Sequence, residues 1–96
     1  MKLFWSKRAT AELSEIRRYS KDRWGTETAK AYLTDIRNAA RAIAADQASL
    51  RPLRPPFFIK RVRSHYLIVH IHKESQILTV ARVLHTSMDI ERHLGP

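Results

Sequence analysis

The chain contains no cysteine and only two glycines among its 96 residues. Without thiols it has neither a disulfide framework nor a thiolate zinc site, so its stability rests on packing, as suits a reducing compartment. With Gly25 and Gly95 alone, no glycine-rich phosphate cradle of the GxxxxGKS/T or GxGxxG kind can be written, which excludes ATP- and NAD-type chemistry. No apolar run approaches the roughly 18 residues of a membrane span. The start, "MKLFWSKRAT", lacks the apolar core and small-residue cleavage site of a signal peptide. These absences predict a soluble, cytoplasmic protein with no membrane partner, and the length predicts one domain over residues 1–96.

Acidic residues are missing from the middle of the chain: each lies at or before Asp46 or at or after Glu74. The segment between carries Arg51, Arg54, Lys60, Arg61, Arg63 and Lys73, which on sequence alone are uncompensated. Together with a formal charge of +9, this creates a positive field suited to polyanions or acidic protein partners.

What is present reads as alternating β and α signals. "KLFW" is a short strand, and Ser6 after it is a helix N-cap whose hydroxyl accepts from a free backbone N–H. From Ala9 through Leu13, Ile16, Tyr19 and Ser20 one stripe recurs at three- and four-residue steps, a helix that Gly25 ends in the left-handed conformation. Thr26 is expected to cap a second helix, whose stripe is Ala29, Leu33, Ile36, Ala40 and Ile43. So short a link folds the two helices into an antiparallel hairpin.

Three prolines make "DQASLRPLRPPF" a connecting loop. "FFIKRVR", "HYLIVHIHK" and "ILTVARVLH" are β-rich runs joined by short polar breaks, a three-stranded antiparallel meander. In its middle strand Leu67, Val69 and Ile71 should meet the helices, and the face of Tyr66, Ile68, His70 and His72 should be wetter. Thr86 and Asp89 have the S/T-x-x-D/E spacing of a capping box for a short last helix that Gly95 and Pro96 end. The fold class is therefore α+β, in the order β-α-α-β-β-β and a small helix, with a helical hairpin covering one face of a mostly antiparallel sheet.

His70 and His72 point the same way and could share a metal, but zinc needs three or four ligands and none accompanies them, so the reading is cross-strand packing, no metal and no cofactor. Trp5, Trp24 and Tyr19 are either core or anchors of a protein interface. Lys60, Arg61, Arg63, Arg82 and His85 come from the meander. Metal-free RNA cleavage needs a base, fixed cations and an acid, and these types are partly present. Arg82 and His85 differ by three, so a regular strand sends them to opposite faces unless it ends or bulges between them.

The whole chain resembles the RelE/ParE superfamily of bacterial type II toxins, and its ParE branch most. The resemblance is carried by A-x-x-x-L-x-x-I-x-x-Y (Ala9, Leu13, Ile16, Tyr19), A-x-x-Y (Ala29, Tyr32), "HYLIVHIHK" and above all "VARVLHTSMDIERHL". It implies a toxin neutralised by a cognate antitoxin, ParD-like or of another ribbon-helix-helix type, that lays an acidic segment over the hairpin and sheet edge, with operator DNA engaged only indirectly through that antitoxin. ParE-like members poison DNA gyrase, whereas RelE-like members cut messenger RNA on the ribosome and typically carry several catalytic basic residues, many with a tyrosine near the C-terminus. Here the tyrosines are Tyr19, Tyr32 and Tyr66, and no Tyr or Lys follows Lys73. The expectation is a gyrase inhibitor that is not itself an enzyme. Its target-facing residues are Arg61, Arg82, His85, Met88, Asp89, Arg92 and His93, and its antitoxin-facing residues Leu13, Ile16, Trp24, Tyr32 and Ile36. The alternative ribonuclease would use Lys60, Arg61, Arg82 and His85.

Overall fold

A computed structural model describes residues 1–94; Gly95 and Pro96, read above as the helix end, lie outside the described residues. The order is β1 (Lys2–Trp5), α1 (Lys7–Trp24), α2 (Thr26–Ala45), a 3-10 turn (Gln47–Ser49), β2 (Arg51–Pro52), β3 (Phe57–Val62), β4 (His65–His72), β5 (Ile77–His85) and α3 (Ile90–Leu94). The five strands form one sheet ordered β1-β5-β4-β3-β2. The meander β3-β4-β5 is antiparallel, while β1 joins β5 in parallel. The proline-rich loop contributes β2, which pairs Arg51 with Ile59 and Pro52 with Phe58. Proline is tolerated there because β2 is an edge strand.

Local chemistry sets the helix ends. Ser6 Oγ accepts from Ala9 N at 3.0 Å and donates to Ala81 O at 2.7 Å, so one hydroxyl caps α1 and ties it to β5. Gly25 has φ 92° and ψ 169°, a region that is essentially glycine's alone. It is not the left-handed helical conformation expected from the sequence. Gly25 also occupies the cap position of α2, and Thr26 is the first residue inside that helix rather than its cap. A one-residue link leaves no place for Thr26 outside the helix.

The main core is the one anticipated from the helical stripes. Ala9, Leu13, Leu33, Ile36, Ala40 and Ile43 pack on Leu67, Val69, Leu78, Val80 and Val83. Each fully buried Leu or Ile here contributes about 1.5–3 kcal/mol. The opposite face of the sheet departs from the expectation of wetness. Ile59, Ile68 and Leu84 form a second small core under Leu53, Phe57, Tyr66, Ile90 and Leu94. The loop before β3 and the helix α3 are what cover it, and neither position follows from strand alternation.

The capping box does not form. Thr86 N donates to Ser64 O at 2.9 Å and Met88 N to His85 O at 3.0 Å, so residues 85–88 make a turn that holds the end of β5 against the β3–β4 hairpin. α3 begins only at Ile90, which puts Thr86 too far upstream to cap it. Among the described residues no helix is long and apolar enough to cross a membrane.

Candidate functional site

Where the Gly25 end of the hairpin meets the β3–β4 turn and the end of β5, the surface opens into a cleft of about 480 Å³. Ile16, Tyr19, Ser20 and Trp24 of α1 form one wall, Tyr32 of α2 and His65 of β4 the floor, and His85, Ser87 and Met88 the far side. Its rim is apolar and open: Tyr19, Trp24 and Met88 are 57%, 55% and 45% exposed. Tyr19 and Trp24 meet edge-on with ring centroids 5.9 Å apart, and the Arg23 guanidinium lies 5.4 Å and 5.7 Å from the two centroids. Large exposed aromatics held rigid by one another and by an arginine are the chemistry of a protein-docking anchor.

The floor is a hydrogen-bonded column. Ser64 N donates to the Tyr32 hydroxyl at 3.2 Å, which leaves that hydroxyl's proton free for His65 Nδ1, 2.6 Å away. His65 is then protonated on Nε2. The His65 and His85 rings are perpendicular at 5.2 Å, and His85 Nδ1 accepts from Ser87 N at 3.1 Å. Burial first, and the neighbouring His85 second, push His65 down to about 4, against a weaker opposing pull from Glu12. His65 is therefore neutral near pH 7. Arg63, with φ 55° in the β3–β4 turn, braces the column from outside: its guanidinium sits 5.3 Å from the Tyr32 ring centroid and pairs with Asp35.

A second arrangement holds the lower end of β5. Arg82 Nε and Nη2 reach Glu12 Oε2 at 3.0 and 2.8 Å, and Nη1 donates to the His93 carbonyl at 2.9 Å. Glu12 Oε1 accepts from Val83 N at 2.8 Å, taking the place of the strand partner that β1 no longer supplies. The pair is largely enclosed, with side chains 13% and 16% exposed. One carboxylate thus links α1, β5 and, through Arg82, α3.

Comparison with known proteins shows the family and the fold. Residues 3–90 match the family described as "ParE toxin of type II toxin-antitoxin system, parDE". The chain belongs to the ParE toxin family. It is 36% identical over 89 residues to Toxin ParE1 of Mycobacterium tuberculosis, covering 90% of each chain, and 33% identical over 93 residues to Toxin ParE1 of Caulobacter vibrioides, covering 94% of each. The fold is shared with the solved chain titled "Chromosomal ParDE TA system from P. aeruginosa", at TM-score 0.79 and 20% identity over 91% of this chain and 97% of that one. It is also shared with "YoeB/ParE toxin from Agrobacterium tumefaciens", at TM-score 0.66 and 16% identity over 88% and 98%. The protein is a ParE-like toxin of a type II toxin–antitoxin system, and its family implies an antitoxin partner.

In this ParE toxin the residues singled out from sequence fall in different places. Of the antitoxin-facing set, Ile16, Trp24 and Tyr32 line the cleft, whereas Leu13 and Ile36 are buried in the main core. Of the target-facing set, His85 and Met88 line the same cleft. Asp89, Arg92 and His93 are exposed in and beside α3. Arg61 is on the face of the sheet shared with its register partner Tyr66, and its Nε donates to Arg63 O at 3.0 Å. Lys60, one residue earlier, turns to the other face, beside Ala39 and Ala42 of α2 and Asp46 just after it.

The four candidates for the nuclease reading are thus divided between the two faces of the sheet, Arg61 and Arg82 on one and Lys60 and His85 on the other. Pairing runs Ile68 to Arg82 and then Val69 to Val80, so Ala81 is the extra residue of a β-bulge. That bulge precedes Arg82 instead of separating it from His85, and the two side chains leave opposite faces as strand parity requires. Two of the six cations expected to be uncompensated also have partners from outside their segment: Arg63 meets Asp35 and Arg54 meets Glu91 at 3.6 Å. Sequence reasoning had no signal for Glu12 or His65, because each gains its role only from a partner distant in the chain. His70 and His72 point the same way, Nδ1 to Nε2 at 2.6 Å, and no group of three or more potential metal ligands occurs among the described residues.

Proposed function

We propose that this toxin acts by inhibiting DNA gyrase and that a ParD-like antitoxin silences it by seating an apolar helix or strand in the cleft bounded by Ile16, Tyr19, Trp24, Tyr32, His85 and Met88. The 96 residues work as one domain in this reading. The observation that carries it is the cleft itself: a largely apolar groove whose rim aromatics, braced by one another and by Arg23, stay more than half exposed. Residues assigned from sequence to target and to antitoxin meet there, which explains neutralisation as direct competition for one surface. A basic protein with an acidic partner also associates quickly through electrostatic steering.

The RelE-like nuclease alternative finds less support. Arg82 is committed to Glu12 and the His93 carbonyl, the register puts Arg61 and Arg82 on one face of the sheet and Lys60 and His85 on the other, and the His85 Nδ1 is occupied by Ser87. Acid–base cleavage needs such groups within hydrogen-bond reach of one phosphate. The deciding experiment is purified toxin in a gyrase supercoiling assay beside a ribosome-dependent mRNA cleavage assay. Loss of supercoiling, restored by the antitoxin, is the expected result. Normal supercoiling at large molar excess, with cleaved transcripts, would reverse the assignment.

A further inference from the structure

A second cleft, of about 330 Å³, runs along the seam between α1 and α2 near Gly25. It shares no residue with the apolar one. Arg17, Arg18 and Lys21 come to it from α1 and Lys30 from α2, with Ser14 and Thr26 as small residues between them. At about 100° per residue these α1 positions occupy the flank opposite to Ile16, Tyr19 and Ser20. All four cations are exposed. The ion pairs of the described residues employ Arg54, Arg63 and Arg82 and none of these four. No carboxylate lines the cleft; Asp22 and Glu27 flank the turn without entering it. The first turn of α2 starts there with no side-chain cap, so its free N–H groups add positive partial charge.

We propose that this seam is a phosphate-backbone contact through which the toxin itself binds duplex DNA, independently of base sequence and of any antitoxin. Four cations gathered without a carboxylate repel one another until a polyanion neutralises them. Arg17 and Lys21 are one helical turn apart, about 6 Å along the axis, which spans roughly two 3.4 Å nucleotide steps of one strand. Arginine forks add bidentate recognition of phosphate. A membrane surface would require an apolar face beside the cations, and no large apolar side chain lines this cleft. An acidic protein would be expected to find aromatic anchors, and Tyr19 and Trp24 stand at the other cleft. This contact does not depend on the gyrase assignment.

The test is fluorescence anisotropy of a labelled 20-base-pair duplex of arbitrary sequence, titrated with the full-length toxin at several salt concentrations. Two triple variants of identical net charge are compared: R17Q/K21Q/K30Q in the seam, and K2Q/R51Q/K73Q at exposed sites elsewhere. The seam triple should weaken binding about tenfold or more and lower the slope of log affinity against log salt by about 2.7, from about 0.9 per phosphate contact; the control triple should stay within about twofold. A charge-retaining R17K/R18K variant should keep the parent's salt slope and lose only a few-fold in affinity, the share that the arginine forks supply. Equal losses in the two triples would reduce the effect to overall charge and overturn the proposal. So would undiminished DNA binding of the seam triple accompanied by weakened antitoxin affinity, which would make the seam part of a protein interface.

Discussion

Glu12 of α1 and Arg82 of β5, seventy residues apart in the chain, form one two-pronged ion pair whose carboxylate also accepts the Val83 backbone N–H. Arg82 then reaches on to the His93 carbonyl, so the pair fastens α3 as well. Removing one partner strands the other in a largely enclosed site. Arg82→Ala should lower stability by about 2–3 kcal/mol in urea denaturation, and Glu12→Met/Arg82→Met should recover part of that loss, because no orphaned charge remains. Gyrase inhibition by the double variant, tested at a temperature where it is folded, then distinguishes a structural Arg82 from one that meets the target; retained inhibition is expected.

The column of Tyr32, His65 and His85 predicts a specific response to acid. His65 is held near 4 when folded, below its ordinary value of 6.5, by burial and by His85, with Glu12 opposing. The unfolded chain therefore binds the proton more readily, and stability is lost as pH falls from about 6.5 to about 4 and levels off below. With solvent screening allowed for, the contribution is on the order of 1–2 kcal/mol. Thermal melts of the parent and His65→Gln between pH 7 and 4 should diverge, with the variant showing the shallower dependence. Parallel curves would remove His65 as the source.

Exposure separates docking residues from core residues on the same hairpin. Trp24→Ala and Tyr19→Ala should each weaken antitoxin binding about tenfold or more, as buried aromatic anchors do at interfaces, while changing stability by no more than about 0.5 kcal/mol. Ile36→Ala should instead cost about 2–5 kcal/mol of stability through the cavity it leaves. Isothermal titration with the antitoxin, paired with denaturation curves, reads both quantities. Unchanged affinity for both aromatic variants would move the antitoxin off this cleft.

Gly25 isolates a backbone effect. A methyl group added there meets no atom within 4 Å, so Gly25→Ala acts only through the conformation at φ 92°. Strain of about 1–3 kcal/mol is expected, visible as a lower urea midpoint with an unchanged slope. A neutral substitution would mean that the hairpin turn relaxes into an ordinary conformation.

Much of the framework was legible in periodicity. Ala29, Leu33, Ile36, Ala40 and Ile43 repeat at helical steps and are all buried, and the alternation of Leu67, Val69 and Ile71 correctly assigned the face of β4 that meets the helices. Ser6 caps α1 as its position before the stripe indicated. The failures cluster where neighbours in space override neighbours in sequence. Thr86 has the spacing of a capping box, yet its N–H is taken by Ser64 O. Ile68 alternates onto the supposedly wet face, yet Ile90 and Leu94 cover it.

Sequence alone determined the α+β order, the hairpin, the main core and the membership signalled by the ending "VARVLHTSMDIERHL", because hydrophobic periods of two and about 3.6 are local properties of the chain. Tertiary structure decided which cations are free and which are clasped, that His85 and Met88 share a cleft with Tyr32 and Trp24, and that Arg17, Lys21 and Lys30 converge on a seam. Those outcomes depend on register, on a bulge at Ala81 and on the packing of one helix beside another. Coulomb and hydrogen-bond energies fall off over a few ångströms, so partners far apart in the chain gain meaning only once folding has brought them within reach.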